Sequence, residues 1–287
     1  MGRFRLRGRY RKNREQRHDR VPLRSMVPNL ITSIAACAGI TSISLSSEGR
    51  WMHALMALLV ACLCDGIDGR VARMLKCSSK LGAELDSLAD FVNFGVAPAM
   101  FMFYWLTGGP DHIGVEQPMV RLVLGCSLFY AMCDCFRLAR FNTMLEQPSL
   151  PYWKNYFLGV PAPGGCWMVL SPAILSLALD AKGKAPVCAD FFQNPIFGMI
   201  MLLFVGSLMA SRLPTISLKH LHVSKSMLLP VMALALLLVA LLVSNFWLTI
   251  GVVGIGYILT IPVTGIFFIR ARSNYERMQS LPAQMQD

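Results

Sequence analysis

Apolar stretches approaching twenty residues recur along this chain, broken by short segments rich in proline, glycine and charge. About twenty apolar residues in a helix cross a ~30 Å hydrocarbon core. The pattern predicts eight membrane segments, at about 27–46, 51–75, 84–106, 119–142, 159–179, 191–210, 226–244 and 248–269. Pro28-Asn29 opens the first, Gly108-Gly109-Pro110 breaks the chain after the third, and Pro148 and Pro151 follow the fourth. Met227–Val243 carries no charge and reads as lipid-facing scaffold. The expected fold is all-α, a polytopic membrane helix bundle of about eight transmembrane helices. It divides into an arm at 1–24, a core at 25–225, two additional spans at 226–270 and a tail at 271–287.

Composition agrees with the pattern. Mean hydropathy is +0.51, 55% of the 287 residues are hydrophobic and 15% are charged. A soluble domain with one large core is excluded. The net charge of +11 is uneven: residues 1–24 hold ten Arg or Lys against Glu15 and Asp19. Such an arm invites a nucleic-acid reading. Directly before a membrane span, attraction to anionic lipid accounts for it better, so no nucleic-acid partner is expected. The arm has no apolar stretch and is not by itself a signal peptide.

The short connections fix an orientation. Lys76 and Lys80 follow the second span, Arg137, Arg140 and Lys154 surround the end of the fourth, and Arg212, Lys219 and Lys225 lie between the sixth and seventh. Arg270, Arg272 and Arg277 follow the eighth. These regions alternate and share one side with the arm, which makes that side, and both termini, cytoplasmic. The nine cysteines offer no disulfide framework. Cys62/Cys64 and Cys133/Cys135 are two apart on helices and point to different faces, as packed thiols would.

The chemistry lies in four aspartates. Asp65 and Asp68 are i,i+3 at the end of the second span; Asp86 and Asp90 are i,i+4 at the start of the third. Carboxylates are expensive in a membrane, and acids there default to a functional role. Two facing pairs of hard oxygen ligands suit two divalent cations, Mg²⁺ or Mn²⁺. Such a centre serves in-line displacement at phosphorus, with one carboxylate free to take a proton. Gly66, Gly69 and Ala72 are small where a nucleotide would approach, although tight helix packing also explains small residues. Arg73 can meet phosphate oxygens with a planar fork of donors.

The whole run, D-x2-D-G-x2-A-R-x8-G-x3-D-x3-D from Asp65 to Asp90, resembles the signature of the CDP-alcohol phosphotransferases, integral membrane enzymes of phospholipid synthesis. The resemblance implies a six-helix catalytic core and a homodimer. It makes Asp65, Asp68 and Asp86 metal ligands. Asp90 would be the general base, also near the second metal. Gly66, Gly69, Ala72, Arg73 and Gly82 would be positions for the CDP-lipid.

The flanks resemble the members of that family that use serine: Glu84 to Pro98, Arg137-Leu-Ala-Arg140-Phe141-Asn142, Gly159-Val-Pro161-Ala-Pro163 and Ser211-Arg212-Leu-Pro214. The implied reaction moves a phosphatidyl group from CDP-diacylglycerol to L-serine and releases CMP, in a bacterial inner membrane. Glu84, Arg137, Arg140, Asn142, Ser211 and Arg212 are candidates for the acceptor or the phosphates. Each arginine also fits a positive-inside anchor, and Glu84 also fits a helix-start cap. Inositol phosphate, glycerol phosphate or choline are alternative acceptors. An ion-coupled carrier is the rival from another class, but it would place its acids nearer the midplane.

Overall fold

The computed structural model describes residues 26–75, 79–109, 118–144, 156–180, 191–211, 214–216 and 227–261. The basic arm, Arg212 and the tail lie outside these residues. Helices occupy all eight predicted spans. They are α1 (Met26–Ser47), α2 (Trp51–Leu75), α3 (Lys80–Asp90) running into α4 (Ala97–Leu106), α5 (Pro118–Met144), α6 (Ala162–Asp180), α7 (Pro195–Ala210) and α8 (Leu228–Ser244). The last is α9 (Phe246–Ile261).

The third span departs from a plain helix. It begins at Lys80 because Ser79 caps it, its Oγ accepting from the Gly82 N–H at 3.0 Å. Between α3 and α4 it widens into a π-helical segment, Phe91–Val96. Pro98 supplies the reason. In a regular helix its ring would clash with the Phe94 carbonyl, and it has no N–H to donate there. The Tyr130 hydroxyl of α5 donates to that carbonyl instead, at 2.9 Å, in a fully buried position. A similar repair occurs in α6, where Pro172 leaves the Met168 carbonyl without its i+4 donor. The Ser171 Oγ donates to it at 2.6 Å.

One element was not expected. Tyr156–Leu158 (β1) pairs antiparallel with Pro214–Ile216 (β2), in the register Tyr156↔Ile216, Phe157↔Thr215 and Leu158↔Pro214. The fifth span therefore starts at Ala162, later than predicted. The turn out of β1 is Gly159, at φ +76°. A Cβ there would lie 2.9 Å from the carbonyl oxygens of Met209 and Ser211, so both the backbone angle and the space require glycine.

Close helix approach builds the core. A Cβ on Gly206 would sit 3.2 Å from the Tyr130 Cα, which joins α7 to α5; Gly251 and Gly254 press α9 onto Leu175 and Ser171 of α6. Leu55, Leu58, Phe94, Phe101, Met102, Met168, Leu170, Ile174, Leu202 and Met209 are fully enclosed. The outer surface is apolar as well. Leu229, Leu234, Leu236 and Leu237 of α8 are all more than half exposed, which suits hydrocarbon and not water. Trp51, Phe101 and Trp105 stack edge-to-face and in parallel, joining the α2 N-terminus to α4. The chain is an integral membrane helix bundle.

Candidate active site

The aspartates converge at the opposite end of α2 from Trp51. One carboxylate oxygen each from Asp65, Asp68 and Asp86 lies within 4.8 Å of the others. Asp68 is 3% exposed and held on both oxygens. The Thr32 Oγ1 of α1 donates to one at 2.6 Å, and the Gly69 N–H donates to the other at 2.5 Å. Asp90 reaches in from α3 toward Asp65, and its Oδ1 is buried without a partner. Among the described residues none of the four makes an ion pair. Clustered carboxylates without an ion-pair partner among the described residues, and one orphaned buried oxygen, are a donor set that a divalent cation fits.

The small residues now separate by cause. A Cβ on Gly66 or Gly69 would meet nothing within 4 Å. Helix packing does not explain them; open space beside the aspartates does. Ala72 is half-buried and Arg73 exposed on the same stretch of α2. Gly82 is different. A Cβ there would come 2.8 Å from the Asn29 Oδ1 of α1 and 3.1 Å from the Ser79 Oγ, so its smallness lets α3 pack and cap.

The flanking candidates also divide. Arg137 of α5 is 12% exposed and pairs with Asp134, whose other oxygen lies against Gly95 in the segment that continues from Asp90. Arg140, one turn on, is engaged elsewhere. Its Nη1 donates to the Ala210 carbonyl at 2.8 Å and its Nη2 to that of Ser211 at 3.0 Å, which closes the C-terminus of α7. The Ser211 Oγ donates to Leu208 O at 2.7 Å in the same cap. Asn142 donates from Nδ2 to the Ser87 Oγ at 3.0 Å, tying α5 to the helix that carries Asp86. Glu84 is exposed on α3, and the helix-start cap is Ser79, not Glu84.

Sequence reasoning missed Thr32 and Asp134. Nothing local to Thr32 says that it meets Asp68 across the bundle. Asp134 had a readable signal, an acid inside an apolar span three residues before Arg137. It is fully buried, its Oδ1 accepting from the Arg137 Nε at 3.4 Å.

The family model described as CDP-alcohol phosphatidyltransferase matches residues 25–204. The chain belongs to that family. A second model, CDP-alcohol phosphatidyltransferase 2, matches residues 226–262. A CDP-diacylglycerol–serine O-phosphatidyltransferase of Mycobacterium leprae is 34% identical over 198 residues, 69% of this chain and 59% of that one. The enzyme of that name from Helicobacter pylori is 34% identical over 157 residues, 55% of this chain and 59% of its own length. That of Bacillus subtilis is 31% identical over 175 residues, 60% of this chain and 90% of its own length. The chain thus spans little more than half the length of the first two relatives and most of the third.

Proposed function

We propose that the chain transfers a phosphatidyl group from CDP-diacylglycerol to L-serine, giving phosphatidylserine and CMP. The observation that carries this is the meeting of Asp65, Asp68 and Asp86 within 4.8 Å, with Asp90 alongside, in a chain of this family. The names of its relatives support serine as the acceptor.

Asp65, Asp68 and Asp86 would hold two divalent cations, Mg²⁺ or Mn²⁺, with Asp90 beside the second. Bound there, the cations supply charge neutralisation to the pyrophosphate and to its leaving oxygen. The chain's own residues do the rest. Gly66 and Gly69 leave α2 bare where the cytidine diphosphate approaches, and Arg73 offers donors to its phosphates. Asp90 accepts the proton of the serine hydroxyl as its oxygen bonds to the lipid-side phosphorus. The phosphorus–oxygen bond to CMP breaks, and CMP leaves with that electron pair.

The site faces the cytoplasm on this reading, with both termini on the same side, in the inner membrane of a bacterium. The alternating basic connections support the orientation, and the family resemblance supports a homodimer. A transport role is disfavoured because the acids gather at one end of the bundle. The test is the purified protein in detergent with CDP-diacylglycerol, Mg²⁺ or Mn²⁺, and labelled serine, inositol phosphate, glycerol phosphate or choline. Metal-dependent CMP release with label entering lipid from serine is expected. Release with another acceptor alone would reassign the acceptor, and no metal-dependent release would end the enzymatic reading.

A further inference from the structure

We propose that Asp134 is a positioning residue for acceptor selection: it holds the Arg137 guanidinium so that its two terminal nitrogens face the carboxylate of an amino-acid acceptor beside Asp90. This rests on the reading of the site as one that uses an amino-acid acceptor.

Three observations carry it. Asp134 has no exposed surface, and the Arg137 Nε donates to its Oδ1 at 3.4 Å. An acid held this deep in a membrane helix is retained for a reason, because an apolar residue of the same volume would be no less stable there. Second, the pair meets the site from behind. A Cβ on Gly95 would lie 2.9 Å from the Asp134 Oδ2, so the dyad seats directly on the π-helical segment that continues from Asp90. Third, Arg137 is bound through its inner nitrogen. Among the described residues its Nη1 and Nη2 have no partner, and its side chain is 12% exposed. A guanidinium pinned at Nε presents a planar pair of N–H donors to an oxyanion.

The oxyanion has two possible sources, the acceptor's carboxylate and the donor's phosphates. The donor's charge has its own partners, the cations at Asp65, Asp68 and Asp86. The general base marks where the acceptor hydroxyl stands, and Arg137 is seated through Asp134 on the π-helical segment that continues from that base. The dyad is electrically neutral overall, so an arriving zwitterion adds no net charge to the membrane edge.

The experiment compares L-serine with ethanolamine as acceptor. Ethanolamine keeps the hydroxyl and the ammonium and lacks only the carboxylate. Wild type, Asp134→Asn, Arg137→Gln, Arg137→Lys and the Asp134→Asn/Arg137→Gln double variant are assayed with CDP-diacylglycerol in detergent. Asp134→Asn should raise KM for serine tenfold or more with a smaller change in kcat, leave KM for CDP-diacylglycerol within twofold, and narrow the preference for serine over ethanolamine. Arg137→Lys, which keeps the charge but loses the Nε contact, should reproduce this, and it carries the test if Asp134→Asn does not fold. The double variant should be no worse than Arg137→Gln alone. A raised KM for the donor would assign the dyad to the phosphates and overturn the proposal. An unchanged serine-to-ethanolamine ratio, or additive losses in the double variant, would also overturn it by reducing Asp134 to packing. A wild-type protein that uses neither compound but another alcohol would overturn the serine reading and this one with it; serine transfer with an unaltered ratio in Asp134→Asn sinks this one alone.

Discussion

Removal of the Thr32 hydroxyl takes away the donor at one oxygen of Asp68, the most enclosed of the three acids proposed to hold the metals. Partners of this outer kind fix the orientation of a ligand, and their loss typically weakens metal binding about 10–100-fold. Thr32→Val should therefore shift the Mg²⁺ or Mn²⁺ titration of CMP release to higher concentration by that factor, with a near-normal rate at saturating metal. Alanine at Asp65, Asp68 or Asp86 removes a proposed ligand itself. Activity should fall by more than about a hundredfold, beyond what an outer partner accounts for, while the protein still purifies. A variant with full turnover and unaltered metal dependence would remove that residue from the centre. Asp90→Asn keeps volume and polarity but cannot take a proton. Calorimetric titration with a CDP-lipid should show binding retained while the release assay shows transfer lost. Loss of both would make Asp90 chiefly a ligand.

At the scale of elements, two local devices set the frame around the acids. The π-helical segment follows from Pro98 and depends on Tyr130 for the Phe94 carbonyl. Tyr130→Phe keeps the ring and leaves that buried carbonyl unpartnered, at a cost of about 1–3 kcal/mol. The expected result is a lower melting temperature in detergent; an unchanged one would mean that the carbonyl finds another donor. The other device is the β1–β2 ladder with its Gly159 turn. Gly159→Ala forces a Cβ into the left-handed region and against two carbonyl oxygens. The backbone alone accounts for about 1–2 kcal/mol of lost stability, and the crowding adds to it. The same measurement should show a larger drop than for Tyr130→Phe, and equal stability would mean that the turn rearranges. Arg140 belongs to this end of the molecule through its cap on α7.

For the whole molecule, the arm supplies ten basic residues before the first span and none of the chemistry proposed for the site. Deleting residues 2–20 should leave turnover in detergent near normal and weaken its dependence on anionic lipid, since each basic residue near such a surface contributes about 1 kcal/mol of attraction. A folded but inactive truncation would bring the arm into the site.

Hydropathy and charge determined the eight spans, because a residue's solubility in hydrocarbon is its own property and needs no partner. The four aspartates were legible for the same reason: an acid at the edge of an apolar run stands out, and i,i+3 or i,i+4 spacing assigns its helix face. Only the tertiary structure decided what depends on a neighbour distant in sequence. It placed Thr32 on Asp68, gave Arg140 to the end of α7 and paired Arg137 with Asp134, although the two arginines are one turn apart and look alike in the chain. It also divided the glycines, with Gly66 and Gly69 facing open space and Gly82 against Asn29. Glycine carries no side chain to announce its reason, and an arginine's role is set by whichever oxygens it meets; both are properties of the packed bundle.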